Sequence, residues 1–145
     1  MIAVDTNILV YAFRGDSAFH PVAKQSISHL YEGDQTWAIP WPCVYEFLNI
    51  VTHPRIYTPA STMAEALRAI ESWMAADNLI FLHESGDFFP SLKTLLLDSR
   101  IRGPKVHHAR IAALCLAHGV RELWTADRDF AAFPKLKTRN PLKSG

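Results

Sequence analysis

The sequence predicts an α/β domain with a central, mostly parallel twisted sheet flanked by helices. Short apolar, β-prone runs alternate along it with segments of helical period. Two of those runs deliver an aspartate directly into the turn that follows, and 145 residues at 49% hydrophobic can fill one proper core. Strands that alternate with helices pair in parallel through right-handed crossovers. The chain is therefore read as one domain over residues 1–145, with Asn140 to Gly145 as a tail.

The first stretch, MIAVDTNILVYAF, sets the pattern. Met1 to Val4 is apolar enough to be a buried strand, and the spacing of Ile8, Leu9, Ala12 and Phe13 is helical. Asp5 thus stands at the carboxyl end of a strand, the edge where ligands of α/β sheets bind. Its bland alternative role is to cap the helix. Arg14-Gly15-Asp16 stops that helix, and His20-Pro21 opens a second one whose apolar positions are Val22, Ala23, Ile27, Leu30 and Tyr31. Thr36 to Ile39 reads as a strand, and Pro42 to about Thr52 as a helix in which Glu46 is the only charged side chain. A carboxylate in such apolar company is expected to be partly buried and so paired, protonated or bound to a metal.

Thr62 and Glu65 have capping-box spacing at the start of a long helix from about Ser61 to Ala76. Met63, Ala66, Leu67, Ile70, Trp73 and Met74 are its expected buried stripe. Leu79 to Leu82 is the third strand, and Asp87 to Arg100 a helix with Leu92, Leu95 and Leu96 inward. Arg100, Arg102 and Lys105 cluster around the break at Gly103-Pro104. The helix after Pro104 is apolar on every side from Ile111 to Ala117, as one packed centrally on a sheet would be, and Gly119 is placed to end it. His107 and His108 lie in its first turn, where adjacent residues cannot share a face, so at most one looks into a common site. Val120 to Trp124 is the fourth strand and empties into Thr125-Ala126-Asp127-Arg128-Asp129-Phe130. Asp127 is the first choice for an inward acid and Asp129 the second. A last short strand is expected around Leu136 to Thr138.

Fifteen Lys plus Arg against fourteen Asp plus Glu give a net charge of +1, which argues neither for nor against nucleic acid, so any binding must come from local patches. Cys43 and Cys115 lack CxxC spacing, and no signal peptide or long apolar run is present. The expectation is a reduced, cytoplasmic protein with no transmembrane segment.

Asp5, Glu46 and Asp127 come from two strand ends and one nearly apolar helix. Hard oxygen ligands held together repel unless a divalent cation neutralises them, and Mg²⁺ or Mn²⁺ suits such a set. Ions of this kind can activate water and stabilise the leaving oxygen in phosphodiester hydrolysis, with no Ser, Cys or His nucleophile. A phosphatase of the haloacid-dehalogenase type built on Asp5 is disfavoured, because it needs a second Asp where Asn7 stands.

At Val4-Asp5-Thr6-Asn7, the Glu46 helix, the helix ending in IAALCLAHGV and the T-x-D-x-D-F segment Thr125 to Phe130, the chain resembles the PIN domain, and most of all its VapC-type toxins. The resemblance runs from Ile2 to about Leu142. It implies metal-dependent cleavage of RNA with Mg²⁺ or Mn²⁺, homodimerisation and a cognate VapB-type antitoxin that blocks the pocket. By motif match Asp5, Glu46 and Asp127 take catalytic, metal-ligating roles, with Thr6, Asn7, Thr125 and Asp129 as polar support. One position departs from the pattern: where the family reads x-H-D-A-x, this chain has Val106-His107-His108-Ala109. His108 then offers a neutral nitrogen in place of an anionic oxygen, as a metal ligand that should weaken Mg²⁺ more than Mn²⁺ or Zn²⁺. The alternative reading is a catalytically weakened domain that binds antitoxin or RNA as a regulatory module.

Overall fold

A computed structural model describes residues 1–143; of the expected tail, Ser144 and Gly145 lie outside the described residues. The strands are β1 (Ile2–Val4), β2 (Trp37–Pro40), β3 (Leu79–Leu82), β4 (Glu122–Trp124) and β5 (Thr138–Arg139). The helices are α1 (Thr6–Phe13), α2 (His20–Glu32), α3 (Trp41–Val51), α4 (Met63–Met74), α5 (Phe88–Ser99) and α6 (Val106–Ala117). Single 3-10 turns precede α6, at Gly103–Lys105, and follow β4, at Arg128–Ala132.

The five strands form one sheet in the order β3-β2-β1-β4-β5, and every pairing is parallel. The chain leaves β1 toward β2 and β3 on one side, then returns across the sheet to β4 on the other. The crevice at the carboxyl ends of β1 and β4 is therefore a topological switch point, where connections diverge and leave room for a ligand. The register pairs Val4 with Trp124, so Asp5 and Thr125 emerge side by side. The Asp5 amide donates to the Trp124 carbonyl at 2.9 Å and prolongs the ladder to that point.

The core lies on both faces of the sheet. Ala109 and Ile111 to Cys115 of α6 are all buried, as a helix without a polar face requires. Phe47 of α3 is buried between Phe13 and Trp73, its ring 5.5 Å and 5.4 Å from theirs at steep angles. Edge-to-face packing of this kind adds about 0.5–1.5 kcal/mol per pair beyond burial. Both halves of the Thr62–Glu65 capping box are formed at the start of α4. Gly119, at φ +70°, ends α6 in the left-handed region that a side chain would resist.

Three packing expectations are corrected. Along α4 only Ala66, Ile70 and Trp73 are buried, while Met63, Leu67 and Met74 are exposed, because the chain's own core covers a narrower face than the apolar spacing offers. Val22 and Tyr31 of α2 are exposed for the same reason. The last strand begins at Thr138 rather than Leu136, whose side chain is buried in the approach to it. Of Trp37, Trp41, Trp73, Phe88 and Phe89, only Phe89 is exposed, at 68%.

Candidate active site

Asp5 follows β1 and occupies the position before α1, yet its side chain makes no capping bond. It is 4% exposed and turns instead toward the neighbouring elements. Thr125 Oγ1 donates to its Oδ2 at 2.7 Å, and the Cys43 thiol of α3 lies 3.6 Å from its Oδ1. Burial raises the pKa of Asp5, the nearby Glu46 charge adds to the rise, and the Thr125 and Cys43 donors oppose it. Burial likewise pushes the Cys43 thiol well above its ordinary value, with the Asp5 charge adding to the effect, so it stays protonated and donates.

Glu46 is half-buried, as expected for the lone charge of α3, and it is paired: Thr6 Oγ1 donates to its Oε2 at 3.0 Å. Thr6 and Asp5 are consecutive, so this bond ties α3 to the end of β1. Asn7 acts on the opposite loop, where its Oδ1 accepts from the Ala126 amide at 3.3 Å.

After β4, the Asp127 amide donates to Thr125 Oγ1 at 3.0 Å, so one hydroxyl orients both acids of the crevice. Asp127 Oδ1 caps its own 3-10 turn by accepting from the Asp129 amide at 2.9 Å. Its Oδ2 lies 2.6 Å from His108 Nε2. Since a carboxylate only accepts, Nε2 carries the hydrogen. The other ring nitrogen, Nδ1, is buried without a partner, and the ring stands edge-on to Phe130 at 5.1 Å. Of the adjacent histidines, His108 is the one that faces the site, while His107 is exposed.

Ligand atoms of His108, Asp127 and Asp129 lie within 4.8 Å of one another, a donor set of the size that holds a metal ion. Asp5 is linked to that trio through Thr125, which also bonds the Asp127 amide, and Glu46 is held by Thr6, the residue after Asp5. The oxygen-rich donors fit a hard divalent cation. His108 fits less well as a ligand. A ligating imidazole normally donates its second N–H to an oriented acceptor, and the buried Nδ1 has none. Its present bond makes it the hydrogen-bond partner of Asp127 instead. Sequence reading did not find the Cys43 contact, since a Cys in an apolar run carries no sign of what lies across from it. That the Asp129 carboxylate lies beside Asp127 is likewise not visible in the sequence.

The PIN domain model matches residues 2–136. The chain is 30% identical over 142 residues to the VapC ribonuclease Mb2897 of Mycobacterium bovis, covering 98% of this chain and 96% of that one. It is 28% identical over 138 residues to ribonuclease VapC48 of Mycobacterium tuberculosis, covering 95% of each. Among solved structures, VapBC2 from Rickettsia felis bound to a DNA fragment from its promoter shares the fold, with a TM-score of 0.71 at 19% identity over 97% of this chain and 98% of that one. No helix among the described residues is long and apolar enough to cross a membrane. With a parallel sheet that gathers its acids at the switch point and a family match over nearly its whole length, the chain belongs to the PIN domain family, within which it is similar to the VapC ribonucleases.

Proposed function

We propose that the chain is the toxin of a toxin–antitoxin pair, a Mg²⁺- or Mn²⁺-dependent endoribonuclease that works as a homodimer in the cytoplasm and is blocked by a VapB-type antitoxin. The observation that carries this reading is the single Thr125 hydroxyl shared by Asp5 and Asp127, which draws two acids from separate strands into one crevice. The ribonuclease names of its relatives and the VapBC2 likeness support the substrate and the partner.

Asp5, Glu46 and Asp127 would hold the cation, with Asp129 at its margin. The bound ion supplies charge neutralisation and an activated water. The remaining work belongs to the chain. Thr125 fixes Asp5, Thr6 fixes Glu46, Asn7 anchors the loop at Ala126, and His108 holds Asp127 Oδ2 in place.

The test is incubation of a mixed RNA pool with the wild-type protein and its Asp5→Ala variant under Mg²⁺, Mn²⁺ or a chelator. Cleavage by the wild type in either metal, lost with chelator and with Asp5→Ala, is the expected result. A second reading, a weakened domain that binds antitoxin or RNA, is favoured by the commitment of His108 to Asp127. It gains if the wild type is inert in both metals and His108→Asp cleaves. Light scattering should return a dimer mass, and a small antitoxin should co-purify from the native host.

A further inference from the structure

Thr125 and Asp127 also form one wall of a depression of about 400 Å³ that the catalytic reading leaves unused. The size falls within the roughly 300–1,000 Å³ of ordinary ligand sites. Around it stand Tyr11 of α1, Phe19 just before α2, Arg128 of the 3-10 turn, Arg139 of β5 and Lys143. Arg128, Arg139 and Lys143 are cationic against the single charge of Asp127, in a chain whose net charge is only +1. The basic character is therefore local, with Asp127 the one acid in the lining. None of these three cations is ion-paired among the described residues. Arg139 has its guanidinium 5.8 Å from the centre of the Trp124 ring, which holds it at the rim of the sheet.

The lining also includes two aromatic rings. Tyr11 and Phe19 pack with ring centroids 5.1 Å apart at 48°, and Phe19 remains 48% exposed. Their spacing is fixed by His20, whose Nδ1 lies 2.9 Å from the Tyr11 carbonyl and ties the end of α1 to the start of α2. Unpaired cations that track a phosphate backbone, together with an exposed aromatic face on which a base can stack, are the parts of a single-strand binding groove. Duplex RNA hides its base faces in the stack, and an acidic peptide would use the cations but leave the rings idle.

We propose that this depression is the subsite for an unstacked nucleotide of single-stranded RNA, its base against Phe19 and Tyr11 and its flanking phosphates on Arg128, Arg139 and Lys143, so that the adjoining phosphodiester enters the crevice at Asp127. This rests on the ribonuclease reading and supplies what the acids cannot: attraction for a polyanion and a preference for unpaired strand.

The probe is a labelled single-stranded RNA of roughly eight nucleotides, followed by fluorescence anisotropy with chelator present so that nothing is cut. Wild-type binding should weaken with salt, and Arg139→Gln or Lys143→Gln should each lower the slope of log K against log salt by about 0.7. Phe19→Leu should weaken binding at least about fivefold, the low end for losing one base–aromatic stack, and Phe19→Tyr should restore it. Four results would overturn the proposal: no binding by the wild type, variants that bind like it, a duplex of the same sequence that binds equally well, or displacement by a polyglutamate peptide at equal charge. Cleavage of the mixed pool by the same preparations separates the two ideas. Cleavage by the wild type with unaltered binding in the variants sinks the subsite alone, whereas binding through the pocket without cleavage in any metal sinks the nuclease reading alone.

Discussion

Thr125 and Asp5 are 120 positions apart in the chain and 2.7 Å apart in the fold, the hydroxyl of one donating to Oδ2 of the other. The parallel register of β1 and β4 places them side by side, and the same hydroxyl accepts from the Asp127 amide. Thr125 is thus positioned to orient the acids without being one.

Thr125→Val keeps the shape of the side chain but strips Asp5 of its donor and leaves the Asp127 amide unpaired. Loss of a group that orients metal ligands typically costs ten- to a hundredfold in affinity or activity. The Mn²⁺ concentration needed for half-maximal cleavage should rise by a factor of that size, with Thr125→Ser staying close to the wild type. An unchanged Mn²⁺ requirement in the Val variant would show that Asp5 needs no such support.

His108→Asp adds an anionic oxygen beside Asp127 in place of a donor held at 2.6 Å. Mg²⁺ affinity, read by calorimetry on the uncleaving protein without RNA, should rise at least about tenfold, or 1.4 kcal/mol. Mn²⁺, more tolerant of nitrogen, should gain less. Equal Mg²⁺ affinity in the two proteins would remove this position from any account of metal preference.

Asp5 gives a stability signature in the metal-free protein. Burial raises its folded pKa above the ordinary 3.8, so the protonated form is the one folding favours. Its contribution is fully present below 3.8 and is lost as pH rises through the raised folded value. Asp5→Asn cannot ionise and escapes that loss. At pH 7 it should melt above the metal-free wild type, with the gap closing toward acid pH. Mn²⁺ should raise the melting temperature of the wild type and leave the variant unmoved. A variant that melts lower than the metal-free wild type at pH 7 would contradict the sign.

Cys43 and Cys115 are fully buried, and burial carries the Cys115 thiol to about 12 and Cys43 well above its usual value. Only thiolate reacts with an aromatic disulfide, so neither should be modified at pH 8 in the native protein. Both should react once denaturant unfolds it. Fast reaction of either thiol without denaturant would mean that the crevice around Asp5 opens readily.

Much of the fold was written locally. The apolar run of β1, the helical spacing after Asp5, the capping box of Thr62 and Glu65, the strand Leu79–Leu82 and the stop at Gly119 each follow from a few adjacent residues, because period and turn chemistry are properties of neighbours along the chain. The candidate acids were legible for the same reason, Glu46 as the lone charge of an apolar helix and Asp5 and Asp127 as acids that follow strands. The sequence alone therefore determined the order of strands and helices, apart from the bounds of the last strand, and which acids stand after strands or alone in an apolar helix.

Only the tertiary structure decided what those acids meet. Strand order is not a local property: β4 beside β1 rather than beside β3 is settled by which apolar faces cover each other, and it alone creates the crevice between Asp5 and Thr125. The same holds for the exposure of Met63, Leu67 and Met74, since spacing shows that a face is apolar but not how much of it the core can reach. It holds for His108, which faces Asp127 because the amino end of α6 is packed against the end of β4, and for Tyr11 and Phe19, which meet because α1 turns back on α2. Distance along the chain carries no information about these contacts, because they are fixed by the packing of whole elements, a balance of burial that involves every strand and helix at once.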